Sequence, residues 1–409
     1  MSEFDTIDFT VPAKKNVILV PQEFDVIANE YSGDLYGYIR NDTGVYVILG
    51  WDGNKPDRAL RTERIGRVNK NPNDLDFWEE ATESCKRSGT HIATDWTHWV
   101  HGVKTANGVE YRGLDNKGKI TLKKEVYSVT QDVFSRNSGL LETDSMKEKV
   151  ALIVGCGSVG SVLALQLARS GVGRFVLVDT DTIEIHNICR HQCNLTDVGR
   201  YKTDALRDRI IAINPFAIVI RFNKIIQNVT DEELNSILDS QSIIIGCGDN
   251  RLSDAFACEL AYVRDIPFVS IGFWRRASVC EIVVCIHQRG DTCYRCAMKE
   301  RIEDEIESRN RNRFYIGEEY KAKTAFEPGI AVDIEFGTSI GTKVVLDALN
   351  LRNPRYISKV LHTLSQYTLI CNTNNPEIGG NGVLGFSDPL QVVRVKNIQL
   401  EKVTCSFCK

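Results

Sequence analysis

The chain has 409 residues, 43% of them hydrophobic and 25% charged, which is enough for two ordinary domains and at least one large core. A formal net charge of -4 gives no reason to expect nucleic acid as a partner, and neither a secretion signal nor an apolar run of about 20 residues is present, so the expected setting is the cytoplasm without a membrane. Thirteen cysteines in such a chain read as thiols and metal ligands rather than a disulfide framework.

Residues 1–126 have their own character. Four of the five tryptophans lie here, Trp51, Trp78, Trp96 and Trp99. Alternating runs such as Gly44–Leu49 and Lys119–Val126 predict strands separated by Gly, Asn and Asp turns. Asn73 is placed to cap a helix running to about Arg87, with Leu75, Trp78 and Ala81 on its apolar positions. The expectation is a small α+β domain. Residues 127–148, YSVTQDVFSRNSGLLETDSMKE, read as a helical connection to the rest.

The strongest local signal follows in KVALIVGCGSVGS, residues 149–161. A short apolar run leads into Gly155, Gly157 and Gly160, and helical periodicity begins just after them. In a G-x-G-x-x-G between strand and helix, the first glycine permits a tight turn, the second lets backbone approach a phosphate, and the third lets the helix pack close. The helix N-terminus then faces the anion.

From there strands and helices alternate. Strand 150–154 is followed by helix 158–170, strand Phe175–Val178, helix Lys202–Ile213 and strand Ile218–Phe222. Helix 231–238, strand Ser242–Ile245, helix 251–263 and strand Phe268–Gly272 come next. The order predicts an α/β, Rossmann-like, doubly wound parallel sheet, with a nucleotide at the carboxyl ends of its strands. After strand Ile282–Ile286 comes a charged stretch, 299–313, then PGIAVDIEFGTSIGTKVVLDAL, whose spacing predicts a buried helix. The second strand ends at Asp179, about 20 residues past the glycines, where a ribose-binding acid belongs. Four of the cysteines form two Cys-x-x-Cys pairs, Cys293/Cys296 and Cys405/Cys408.

Two family resemblances organise these residues. The run YSGDLYGYIRNDTGVYVILG, followed by GTHIATDWTHWVHG and YRGLD, is similar to the JAB/MPN metalloprotease fold, whose zinc motif is His-x-His and then Ser-x-x-Asp. Thr97, His98 and Trp99 stand where the histidines would alternate, and Arg112 stands in the serine position, so only Asp115 matches. The resemblance implies a degenerate, non-proteolytic domain over 1–126 that binds a partner. The equal alternative is an unrelated α+β domain in which His91, His98 and His101 are solvated or packing residues.

The second resemblance covers about residues 128–409. The ordered series IEIHNICRHQC, DVGRYK and IIGCGDN resembles the MoeB/ThiF family and the ubiquitin-activating enzymes built on the same adenylation domain, which implies such a domain over 127–409. It implies ATP as cofactor, with Asp179 on the ribose, Asn187, Arg190 and Lys202 on the triphosphate, and Asp249 on Mg2+. Attack of a carboxylate on a triphosphate needs such cations to neutralise oxygens in the transition state. VFSRN resembles a segment in which an arginine reaches the nucleotide of a second subunit, making Arg136 a finger in trans within a homodimer, although Phe134 and Asn137 replace the usual tyrosine and glutamine. Cys293, Cys296, Cys405 and Cys408 match the family's structural zinc. Residues 297–370 contain no cysteine where a thioester cysteine usually lies, which leaves Cys371 as the first candidate, with Cys85, Cys189 and Cys193 behind it. Cys156, Cys247, Cys258, Cys280 and Cys285 read as packing residues.

The expected activity is adenylation of the C-terminal carboxylate of a ubiquitin-like protein, with ATP converted to AMP and pyrophosphate. The layout is most like the activating enzyme of bacterial ubiquitin-like conjugation (BilD-like) antiphage systems, with a conjugating enzyme as a further partner. A sulfur-carrier adenylyltransferase and an MccB-like peptide adenylase stay open. A dehydrogenase is disfavoured, because a nicotinamide enzyme has no use for Arg190, Lys202 and Asp249 in this order.

Overall fold

The structure, a computed structural model, describes residues 16–40, 43–69, 100–115, 118–304, 328–371 and 394–398, together with 405, 407 and 408. The chain divides into two compact units, Met1–Val133 and Phe134–Lys409. Among the described residues no helix is long and apolar enough to cross a membrane.

In the first unit seven strands close into a barrel, β1 Val17–Pro21, β2 Gly33–Arg40, β3 Val45–Trp51, β4 Glu63–Asn69, β5 Val100–Thr105, β6 Gly108–Asp115 and β7 Gly118–Tyr127. Their order is β1-β3-β2-β4-β5-β6-β7, and β7 returns to pair parallel with β1, so no described edge is left open. Alternation along β3, where every second residue is buried, sends Tyr46 and Ile48 inward to join Ile18, Leu35, Val68 and Tyr111. A short helix, Gln22–Ile27, drops Phe24 into the same core, against Trp51 with ring centroids 5.0 Å apart. His101 is 6% exposed and pairs in register with Arg112 on β6, which makes it a packed residue of the wall. The helix expected from Asn73 to Arg87 lies outside the described residues, as do Trp78, Cys85, His91, Trp96, His98 and Trp99.

The second unit is an eight-stranded sheet formed by β8 Val150–Val154, β9 Arg174–Val178, β10 Ile218–Phe222, β11 Ser242–Gly246, β12 Phe268–Phe273, β13 Val279–Cys285, β14 Tyr367–Cys371 and β15 Arg394–Ile398. The order is β10-β9-β8-β11-β12-β13-β14-β15. Strands β10 to β12 are all parallel, as the alternation of strands and helices predicts. Every residue of β8 and β11 is buried, because such strands are covered on both faces and read as uninterrupted apolar runs. Sequence order runs outward from β8 in one direction and from β11 in the other, so the switch point lies between them.

One expectation needs correction, and one feature lies beyond the parallel part that was expected. The last three strands are antiparallel. Only residues 274–278 join β12 to β13, too few for a crossover, so the chain turns back as a hairpin. The connection at 127–148 is not one helix but three short turns, Val129–Val133, Ser135–Asn137 and Thr143–Met146. Gly139 takes a left-handed φ of 82°, and Asn137 turns its amide to the carbonyl of Arg169 at 2.8 Å.

Candidate active site

The carboxyl ends of β8, β9, β11 and β12 open on one cavity of about 680 Å3, a size typical of small-molecule sites. Gly155, Gly157, Asp179, Asn187, Arg190, Lys202 and Asp249 all line it. The glycines act separately. Gly155 has a φ of 92°, and a Cβ there would sit 2.7 Å from the nitrogen of Gly248. Gly160 lies in helix Ser158–Arg169, where a Cβ would come within 1.9 Å of the Gly155 carbonyl oxygen. A Cβ on Gly157 would meet nothing within 4 Å, which is the room a phosphate needs. Gly157 caps the helix with no side-chain hydrogen bond, so the first N–H groups of that helix face the cavity.

Asp179 braces this loop. Its Oδ2 accepts from the Cys156 N–H at 2.7 Å, and its Oδ1 accepts from the Asp181 N–H at 2.8 Å. The next peptide is held by His191, a residue the sequence did not single out. Its Nδ1 accepts from the Cys193 N–H at 3.1 Å, so the proton sits on Nε2, which donates to the Cys156 carbonyl at 2.7 Å. Burial moves the His191 pKa below the ordinary imidazole value, against the pull of that carbonyl.

Lys202 opens helix Lys202–Ile213 and pairs with Asp181 at 2.7 Å. Asn187 ends a single turn, Ile185–Asn187, in which its side chain and that of Glu184 cap each other's backbone, and Arg190 follows one turn later. In the Asp-Asn pair the roles divide. Asn250 caps helix Arg251–Tyr262, accepting from the N–H groups of Leu252 at 3.0 Å and Ser253 at 3.4 Å. Asp249 is exposed to the cavity. One carboxylate completed by phosphate oxygens is the usual protein share of a magnesium site, so the residues fit Mg2+.

The far wall was not legible from motifs. Glu281 is 4% exposed in the middle of β13 and accepts from Arg251 at 2.7 Å, Trp274 at 3.2 Å and Tyr367 at 2.7 Å. Tyr294 meets Arg251 at 3.2 Å. The one available signal is the acid itself, set inside the apolar run VCEIVVC.

The two Cys-x-x-Cys pairs come together. Sulfur separations are 3.8 Å for Cys293–Cys405, 3.7 Å for Cys405–Cys408 and 3.7 Å for Cys296–Cys408. All four sulfurs lie within 4.8 Å of one another. A tetrahedron with Zn–S bonds near 2.3 Å has edges of about 3.8 Å, so the donor set and its spacing fit zinc. Burial raises the Cys405 pKa, but N–H groups of Cys408 and Phe407 more than offset this and bring it down to about 6.

Two predicted residues lie elsewhere. Arg136 is exposed on the Ser135–Asn137 turn and does not line the cavity. Cys371 is 1% exposed in β14, between Val279 of β13 and Arg394 of β15. Packed in the apolar core at that exposure, its sulfur offers no face to a carrier's tail, so the thioester assignment is not carried further. Cys193 is also buried, and that burial pushes its pKa up to about 12. Among the described cysteines Cys189 is the exposed one, and Cys85 lies outside the described residues.

Comparison with known proteins gives one family match, to the ThiF family over residues 131–364. The molybdopterin-synthase adenylyltransferase of Escherichia coli (strain K12) is 27% identical over 42% of this chain and 68% of its own length. Ubiquitin-like modifier-activating enzyme 5 of Caenorhabditis elegans is 34% identical over 29% of this chain and 30% of its own. The solved structure of Escherichia coli MccB with ATP aligns at 20% identity, over 65% of this chain and 68% of that one, with a TM-score of 0.45.

Proposed function

Because the chain belongs to the ThiF family, we propose that it is an adenylyltransferase that activates the C-terminal carboxylate of a ubiquitin-like protein. The observation that supports this most directly is the convergence of the glycine loop, Asp179, Asn187, Arg190, Lys202 and Asp249 on one cavity. In the reaction a carboxylate oxygen attacks the α-phosphorus of ATP. The bond from that phosphorus to the oxygen bridging to the β-phosphate breaks, and pyrophosphate leaves with the electron pair. An acyl adenylate remains.

Each residue has a share in this. Gly157 and the helix beyond it give N–H groups to the phosphates, Asp179 holds the ribose hydroxyls, and Arg190 and Lys202 offset the charge that moves toward pyrophosphate. Asp249 would hold Mg2+, which when bound places positive charge against the leaving group. Arg136 is exposed and does not line its own cavity, and in this reading it serves the nucleotide of a second copy in a homodimer. The four cysteines would hold a structural zinc.

The pathway we infer is bacterial ubiquitin-like conjugation of the antiphage kind, with the barrel unit engaging the carrier or a conjugating enzyme. A separate seven-stranded barrel fused to the adenylation unit is more than carboxylate activation needs. Activation of a sulfur carrier is the second reading, favoured by the 27% identity to the molybdopterin-synthase enzyme.

ATP–pyrophosphate exchange, run with each small β-grasp protein encoded beside this chain, tests the reading. Exchange should depend on one carrier and fall by roughly a hundredfold or more in Asp249→Ala. A thiocarboxylate formed on that carrier, with no transfer to a protein amine, selects the sulfur reading. Exchange absent with every carrier but present with short peptides would point to a peptide adenylase.

A further inference from the structure

The cavity has a second side, away from the glycine loop. It is built at the ends of β12 and β13 from Gly272, Phe273, Trp274, Glu281 and Tyr294, with Arg251 at the border. Arg251 stands two residues after Asp249 and opens helix Arg251–Tyr262, so it lies between the metal-binding carboxylate and this far wall.

Adenylation needs a second anion beside the triphosphate. A carboxylate approaching those phosphates is repelled unless a cation fixed on its own side holds it, and holding it there also supplies the attack geometry. The cavity lysines stand on the β9–β10 side, Lys202 paired with Asp181 at 2.7 Å and Lys224 with Glu233 at 2.8 Å, whereas Arg251 stands on the β12–β13 side in its own pair with Glu281. A guanidinium is the planar, permanently charged group that matches a carboxylate.

The far wall is built to hold such a group still. Glu281 is buried within a strand whose every other residue is also buried, a costly place for a carboxylate unless it is paired. It takes the Arg251 Nη1 at 2.7 Å, and the Tyr294 hydroxyl lies 3.2 Å from the same nitrogen. Trp274, whose indole N–H reaches the second oxygen of Glu281 at 3.2 Å, carries the Arg301 guanidinium over its ring at 4.9 Å from the centroid. The result is a fixed cation beside a flat, pinned aromatic face.

We propose that Arg251 binds the carboxylate-bearing end of the protein substrate, and that Glu281 and Tyr294 are positioning residues that hold its guanidinium in place. This rests on the adenylation reading. Trp274 forms the flat side of the channel in which the tail lies.

The test is pyrophosphate exchange by the full chain, with the carrier and ATP varied separately. Arg251→Ala should raise the KM for the carrier by roughly tenfold to a hundredfold, the worth of a hydrogen-bonded charge, while the KM for ATP stays within about twofold. Arg251→Lys should recover part of the loss, and Tyr294→Phe and Glu281→Gln should shift the same parameter by smaller amounts. Thermal melting shows whether each variant is folded. If Arg251→Ala does not fold, Tyr294→Phe, which removes one hydroxyl, decides. A folded variant with unchanged carrier KM overturns the inference, as does an Arg251→Ala enzyme in which the KM for ATP rises with that for the carrier. A wild-type enzyme silent with every carrier would remove the carrier-activation reading and this inference with it.

Discussion

The backbone of Cys156 is held through both of its peptides, its N–H by Asp179 and its carbonyl by His191. His191→Phe should therefore loosen the glycine loop and weaken ATP binding roughly three- to tenfold, the worth of one hydrogen bond, as read by calorimetric titration. The pH dependence has a definite sign. Burial places the folded pKa of His191 below that of the unfolded residue, so the unfolded chain takes up a proton first as pH falls. Stability is complete above about pH 6.5 and declines below it. Melting curves from pH 8 to pH 5.5 should show a steeper loss in the wild type than in His191→Phe. Asp179 was legible because its distance from the glycines is set by one strand and one helix. His191 was not, since its partner lies 35 positions away in a loop and a histidine beside an arginine carries no spacing signal.

At the scale of elements, the strands around the switch point were legible from uninterrupted apolar runs, and helix Ala331–Leu349 from the spacing of its apolar positions. What organises the far end of that helix was hidden. Asp347, 1% exposed, accepts from the Tyr356 hydroxyl at 2.6 Å and the Ser358 hydroxyl at 3.0 Å. It also accepts from the N–H groups of Lys359 at 2.9 Å, Val360 at 2.7 Å and Leu361 at 2.9 Å. A single acid in VVLDAL gives no hint that it gathers a whole loop. Burial raises its pKa, but these donors outweigh burial and leave it below the ordinary value. Its contribution is thus present above about pH 4 and lost as pH falls through the folded value. Asp347→Ala leaves several backbone N–H groups without an acceptor, and chemical denaturation should register a loss of about 2–4 kcal/mol. The hairpin of β12 and β13 and the broken connection at 127–148 were missed for a different reason. A five-residue link and a left-handed glycine act against patterns that are otherwise regular.

For the whole molecule, closure is the property least visible in a linear reading. Strands at Gly44–Leu49 and Lys119–Val126 could be read locally, but the barrel depends on β1 pairing with β7, Val17 opposite Lys123, and no local pattern encodes that pair. The cysteine pairs are the exception, since tetrahedral zinc chemistry announces its own long-range contact. The purified protein should release a single zinc ion per chain when its thiols are titrated with a mercurial. Cys405→Ser should lower the melting temperature and the zinc content together, and unchanged zinc in that variant would count against the four-thiolate assignment.

That same cluster has a consequence for how the protein is made. Tyr294, which braces Arg251, sits between two of the cysteines, and Cys293 finds its partner Cys405 at a separation of 112 positions. The ribosome therefore delivers the glycine loop, Asp179, Arg190, Lys202 and Asp249 long before the residues that fasten the opposite wall. A nascent chain can assemble the glycine-loop side of the cavity while the proposed tail-binding wall is still unanchored, and the two come into register only once residues 405–408 have emerged to complete the four-thiolate cluster.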